Sequence, residues 1–334
     1  MKTILVTGGA GYIGSHVAKS FLESGYKVVI FDNLFRGHKQ AVDILKKFGD
    51  VEFVQGDLRN VEDLQNLFAK YEFEAVCHLA ALCLVYESVS NPELYFENNT
   101  QGTVNLLDAM TEADVKKILF SSTGAVYGDV QTLPVSEDSQ TVPINPYGAS
   151  KLSAETLIKW YEKANGIKYV IFRYFNVCGA DSEGRIGDSK KPSELLVQNA
   201  VRGAMGLQQF YLTCPTADTP DGTPIRDYFD VEDLAAAHLL ALDYLKEWNL
   251  SEIFNLGSGT GHSVKEIISI VEEIFGVKIP VREAAEPRAG ENAKIFADIS
   301  LAKKLLGWVP KKTLKDSVLS LKKWYTEFPE GYKD

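Results

Sequence analysis

The chain has 334 residues, 45% of them hydrophobic and 24% charged, enough apolar content for one large or two modest domains with real cores. Its formal net charge of -10 opposes polyanions, so neither nucleic acid nor an anionic membrane surface is expected as a partner. Cys77, Cys83, Cys178 and Cys214 form no CxxC pair and have no accompanying His cluster, so reduced thiols and no metal site are expected.

The first apolar run stops at Gly8, short of a secretory signal. No stretch approaches the roughly 20 apolar residues of a membrane helix, and the reading is a cytoplasmic protein. Strands are predicted over Thr3–Thr7, Lys27–Asp32, Val51–Gln55, 74–80, 117–122 and 169–174. Several are continuous in Val, Ile, Leu and Phe, as strands covered on both faces should be. Helical patterns at 13–24, Val61–Lys70 and 103–110 lie between them. This alternation predicts an α/β fold with a doubly wound parallel Rossmann sheet and right-handed crossovers. After about Asn176 the pattern loosens, and residues 179–224 are rich in Gly, Pro, Asp, Ser and Thr. A strand at 253–256 and helices at Val264–Phe275 and 314–325 follow. The expected division is a cofactor domain over 1–175, joined by about 225–257, and a smaller, discontinuous α/β substrate domain within 176–334.

The first strand runs into Gly8-Gly9-Ala10-Gly11-Tyr12-Ile13-Gly14. Missing side chains allow a tight turn and close approach of backbone to a pyrophosphate, and the helix that follows offers N–H groups to that anion. Asp32 ends the next strand, about 20 residues on, where an acid accepts from the ribose hydroxyls of NAD and repels the 2′-phosphate of NADP. Arg36 stands nearby as a base that tolerates such a phosphate. Asp57 reads equally as an adenine-side residue or a helix cap. Leu79-Ala80-Ala81 are small enough to lie along a dinucleotide or to permit close packing.

Tyr147 and Lys151, in YGASK, fall on one face of a helix. A nearby ammonium favours the phenolate, and a nicotinamide cation adds to this, so a tuned Tyr can exchange a proton with a substrate hydroxyl while hydride moves to or from the cofactor. The strand ending Phe120-Ser121-Ser122-Thr123 supplies hydroxyls beside it.

Taken together, TGGAGYIGSH, DN at 32–33, GD at 56–57, HLAA, FSSTGAVYG, YGASK, RYFNVCGA and RDYFDVEDLA resemble the extended short-chain dehydrogenase/reductase family, and more narrowly its UDP-glucose (UDP-galactose) 4-epimerases. The likeness runs from Met1 to about Trp308. It implies interconversion of UDP-galactose and UDP-glucose through a 4-keto intermediate with tightly bound NAD. Tyr147 would be the acid/base, Lys151 its tuner, and Thr123 the partner of the sugar hydroxyl. Gly8, Gly11, Tyr12, Ile13, Gly14, Asp32, Asn33, Asp57, Leu58, Leu79, Ala80, Ala81, Asn98, Ser121, Tyr147, Lys151 and Tyr174 would hold the cofactor. Thr123, Tyr147, Asn176, Leu195, Tyr211, Arg226, Arg288, Glu291 and Ile295 would hold the UDP-hexose. A twofold homodimer through helices at 91–110 and 147–165 is also implied, with Trp160 and Tyr161 as anchors. Related dehydratases need an acid beside the hydroxyl residue, whereas Gly124 and Ala125 follow Thr123 here. Four positions depart from the family pattern or tune it. Thr123 replaces Ser, Cys83 stands where Lys often lies near the cofactor, Glu194 stands where Asn approaches the diphosphate, and Ile295 falls where the sugar pocket is gated. The competing readings are an epimerase of another nucleotide sugar, a net oxidoreductase that releases its cofactor, and a non-catalytic NAD-responsive binding protein.

Overall fold

The computed structural model describes residues 2–130, 132–190, 193–214, 216–284 and 293–333. Seven strands make the main sheet: β1 (Thr3–Thr7), β2 (Lys27–Asp32), β3 (Val51–Gln55), β4 (Ala75–His78), β5 (Lys117–Ser121), β6 (Lys168–Tyr174) and, from much later in the chain, β10 (Glu252–Leu256). They run in the order β3-β2-β1-β4-β5-β6-β10, and every pair is parallel. Successive residues face opposite layers. Ile4, Val6, Val28, Ile30, Val170 and Phe172 enter one core, with Val17 and Phe21 of α1 (Tyr12–Glu23) against them. Leu5, Val29, Phe31, Val76, Ile118 and Ile171 enter the other, with Leu64 of α3 (Val61–Lys70) and Leu106 of α6 (Gly102–Glu112). Burial on both faces explains why these strands read as continuous apolar runs. A short α2 (Lys39–Leu45) leads into β3.

The β4 strand is shorter than predicted and ends at His78, which leaves Leu79–Ala81 as open chain. Beyond them α4 (Val85–Ser90) and α5 (Pro92–Tyr95) run through a π-helical turn, Phe96–Gln101, into α6. A 3-10 turn at Gly124–Tyr127 follows β5, and α7 (Pro146–Asn165) precedes β6.

The rest of the chain is more ordered than its composition suggests. β7 (Asn176–Cys178), β9 (Ile225–Asp230), β11 (Gly261–Ser263) and β13 (Lys294–Ile295) form a four-stranded sheet, while β8 (Phe210–Leu212) pairs with β12 (Val281–Glu283). Helices α8 (Leu196–Ala204), α10 (Val264–Phe275) and α12 (Leu314–Glu327) share a core around Val197, Ile267, Leu321 and Trp324. Capping boxes at Ser263/Glu266 and Thr313/Asp316 start the last two. The short α11 (Ser300–Leu306) lies against β10. The largest departure from the sequence reading is α9 (Val231–Trp248), which packs along α1 on the main sheet. Its buried residues include Leu234, Ala235, Ala237, His238, Ala241, Leu242 and Leu245, so apolar groups surround much of the helix and blur its periodicity.

Candidate active site

The strand order reverses between β1 and β4, and in such sheets a crevice opens at the carboxyl ends of the strands. Gly8 leaves β1 with φ +71, and its amide donates to the Phe31 carbonyl over 2.9 Å. A Cβ there would lie 2.6 Å from the Ala80 nitrogen, and one at Gly14 would lie 2.1 Å from the Gly8 carbonyl oxygen. The chain closes on itself so tightly that only glycine fits either position. At Gly11, the N-cap of α1, no side chain caps the helix and no acid sits in its first turn. The helix therefore presents its positive end to the crevice, and these residues fit the pyrophosphate of a dinucleotide.

Asp32 is fixed at the end of β2, accepting from the Ala10 amide at 3.1 Å and the Leu34 amide at 2.8 Å. Burial pushes its carboxyl up, and the two amides oppose the shift. Its oxygens retain lone pairs for ribose hydroxyls. Asn33 donates to Asp57 over 2.9 Å. Arg59, with help from Asn33, holds the Asp57 carboxyl well below the usual range. Asp57 does not cap α3; Asn60 does, accepting from the Glu62 amide. One terminal nitrogen of Arg36 donates to both Glu87 oxygens, at 2.7 and 2.6 Å, which engages the base that the sequence offered to a 2′-phosphate. Tyr12 and Ile13 line the crevice as well, and the Tyr12 hydroxyl donates to the Gly179 carbonyl over 2.6 Å, tying α1 to the second half of the chain.

On the other side of the crevice, Asn145 caps α7 by accepting from the Gly148 amide at 2.8 Å, with Pro146 in the first turn. Tyr147 and Lys151 follow one turn apart, 9% and 2% exposed. Tyr147 is hydrogen-bonded to Thr123, whose side chain also accepts from the Ala125 amide at 3.1 Å. The Lys151 ammonium lies 4.2 Å from the centroid of the Phe120 ring. Tyr174 is hydrogen-bonded to Ser121 beside them. Burial pushes the Lys151 ammonium down to about 7 and the Tyr147 phenol well up. In the protein by itself desolvation dominates at the Tyr147 phenol, and the positive charge of a bound nicotinamide would oppose it.

Two groups that the sequence did not single out position this site. Glu155, fully buried on α7, accepts from Ser122 at 2.5 Å and from Arg173 of β6 at 3.0 and 2.6 Å. Asn99, in the π-helical turn, grips Leu82 through both its amide and its carbonyl and donates to Ser150, joining the post-β4 chain to α7. Neither stands out in a motif, because each partner lies on another element, 17 or more residues away.

The glycine turn, Asp32, Asn33, Asp57, Leu58, Leu79–Ala81, Asn98, Ser121, Thr123, Tyr147, Lys151 and Tyr174 line one cavity of about 610 Å³. Asn176, Leu195, Tyr211, Arg226 and Ile295 line the same cavity from the second half. Arg288 and Glu291 lie outside the described residues. Ile295 packs with Val126, Tyr127 and Val135. Glu194 is hydrogen-bonded to Tyr86, and the Lys190 ammonium stands 3.4 Å from the Cys83 sulfur. Among the described residues no group of three His, Cys, Asp or Glu side chains could hold a metal ion, and no helix is long and apolar enough to cross a membrane.

A dinucleotide crevice joined to a buried Tyr–Lys pair and a hydroxyl partner defines a Rossmann-type enzyme that moves protons at a sugar-like hydroxyl. The chain belongs to the NAD dependent epimerase/dehydratase family, whose model matches residues 4–257. It is 41% identical to the UDP-glucose 4-epimerase of Lactobacillus helveticus, covering 99% of each chain. It is 44% identical to that of Halalkalibacterium halodurans, covering 98% of this chain and 97% of the relative. The crystal structure of UDP-glucose 4-epimerase from Bifidobacterium longum, in complex with NAD+ and UDP, superposes with a TM-score of 0.95 at 36% identity, covering 99% of this chain and 100% of that one.

Proposed function

We propose that this chain interconverts UDP-galactose and UDP-glucose at C4 through a 4-keto sugar, with NAD kept through the cycle. The observation that carries the reading is the convergence of the glycine turn and Asp32 with Thr123, Tyr147 and Lys151 on one cavity. Thr123 holds the C4 hydroxyl, and Tyr147 takes its proton at the phenol oxygen. Lys151 favours the phenolate and binds the nicotinamide ribose. Bound NAD supplies the acceptor that takes the C4 hydrogen and gives it back, together with a positive charge in the cleft. The keto sugar turns over, and Tyr147 returns the proton to the other epimer. Asn176, Leu195, Tyr211, Arg226 and Ile295, with Arg288 and Glu291, are assigned to the nucleotide sugar, the arginines because their fork geometry suits phosphate. Gly124 and Ala125 after Thr123 offer no acid for dehydration, which favours epimerisation.

Under the same reading residues 1–175 with about 225–257 form the cofactor domain, and the remainder of 176–334 the sugar domain. The chain works in the cytoplasm as a twofold dimer built on 91–110 and 147–165. In support, Val89 is 63% exposed and Trp160 60% exposed. Tyr161 is used within the chain, donating to Asp108.

The test is incubation of the purified protein and of Tyr147→Phe with UDP-galactose without added NAD, with products resolved by NMR. The wild type should form UDP-glucose catalytically. The variant, lacking only the phenol oxygen, should lose at least about a hundredfold in turnover. A net oxidoreductase would instead need NAD in proportion to product, and a binding protein would form none.

A further inference from the structure

We propose that Lys190, reaching across from the second half of the chain, is a ligand of the cofactor's pyrophosphate and holds NAD in place. This rests on the reading of the crevice as an NAD site. The geometry begins at Gly8, whose missing Cβ leaves room for the Ala80 amide. The chain after β4 therefore starts against the pyrophosphate turn, and Cys83 lies three residues further along it, on the same cavity. The Lys190 ammonium stands 3.4 Å from the Cys83 sulfur. Among the described residues that thiol is its only hydrogen-bond partner, and a thiol is a weak acceptor for a group with three protons to donate.

The turn that carries Lys190 is built. Buried Asp188 accepts from the Lys190 amide at 3.3 Å and from the Ser193 hydroxyl at 2.6 Å, and its carbonyl accepts from the Trp324 indole at 3.1 Å. A second cation lies close by. Arg36 spends one terminal nitrogen on both oxygens of Glu87, while its other terminal nitrogen is buried with no hydrogen-bond partner. Arg36 and Lys190 lie near enough to repel one another. Both cations line the same cavity, and the Lys190 ammonium there has donors left over that an anion would take up; the diphosphate of a dinucleotide has the charge to do so. The uncapped end of α1 supplies only part of the positive charge such an anion needs.

The assignment separates the cofactor's diphosphate from that of the sugar nucleotide. The protein is stripped of nucleotide, and the Kd values for NAD and for UDP are measured by calorimetry on the wild type, Lys190→Met, Lys190→Gln and Lys190→Arg. Thermal unfolding of the stripped proteins checks their fold. Loss of a charge-assisted contact should weaken NAD binding about ten- to a hundredfold in the Met and Gln variants and much less in the Arg variant. UDP binding should stay within about twofold. A lysine at position 83 would carry its own ammonium to the same spot, so adding Cys83→Lys to Lys190→Met should restore NAD binding. Unchanged NAD affinity in folded Lys190→Met or Lys190→Gln contradicts the assignment, as does weakened UDP binding with NAD unaffected. If the wild type itself binds no NAD, the reading of the crevice fails instead.

Discussion

Ile295 shows how one side chain sets the reach of the site. It lies on β13, parallel to β9 beside Arg226, and is 8% exposed with its outer edge on the cavity. Under the proposed function it faces the sugar's C2 substituent. An Ile leaves more room there than a Tyr, so the N-acetylhexosamine pair should be admitted, but the gain is modest and UDP-glucose and UDP-galactose should remain the main substrates. Ile295→Tyr should raise the ratio of kcat/KM for UDP-galactose over UDP-N-acetylgalactosamine by roughly tenfold, since contacts of a few methylenes are worth about 1–3 kcal/mol. An unchanged ratio would remove Ile295 from the gate. Glu194 gave the opposite concern in the sequence, a carboxylate beside a diphosphate. Its hydrogen bond to Tyr86 gives that carboxylate a partner of its own. Cys83 in turn is answered by Lys190, from a segment that no local motif marks.

Helix α7 carries the catalytic candidates, and a buried ion pair holds it in addition to the apolar face of Ala154 and Ile158. Glu155 is fully buried and Arg173 nearly so, and the guanidinium also donates to the Tyr127 hydroxyl at 3.2 Å. Removing the cation leaves a carboxylate in the core with Ser122 as its remaining partner, a loss of about 3–5 kcal/mol. Arg173→Met should therefore lower Tm by about 5–10 °C. Adding Glu155→Gln, which removes the stranded charge, should recover part of it. A Tm within about 1 °C of wild type for the single variant would show that the pair does not anchor α7. Elements of this kind explain what the sequence did and did not reveal. Strands buried on both faces and the glycine turn announce themselves through local composition. The ends of β1, β2 and β3 were legible for the same reason and those of β5 and β6 to within one residue, while at β4 the Leu-Ala-Ala run continues an apolar pattern after the ladder has ended. By contrast α9 is apolar on too many sides to show a period, and the π-helical turn has no composition of its own. The Glu155–Arg173 and Asn99–Leu82 contacts, 18 and 17 residues apart, join different elements and fall outside any helical or strand period, so no spacing rule reaches them.

At the scale of the whole molecule, the two halves meet over one cavity, and residues of both line it. The cofactor side was legible because strand, turn, helix and acid follow one another in a fixed order. The sugar side is assembled from β7, α8, β8, β9 and β13, short elements whose residues converge only in space, and it was reached through family likeness alone. The exposed Trp160 on α7 and Val89 before the π-helical turn support a twofold assembly, and light scattering at micromolar concentration should give a dimer mass; a monomer would contradict that part of the account. The central claim is that the hydrogen at C4 leaves the sugar and returns to it without exchange with water, while Tyr147 handles only the hydroxyl proton. Running the conversion of UDP-galactose in D2O and reading C4 of the UDP-glucose by NMR tests this directly. The account predicts product with protium at C4 through many turnovers and without added NAD; deuterium at C4 would contradict it.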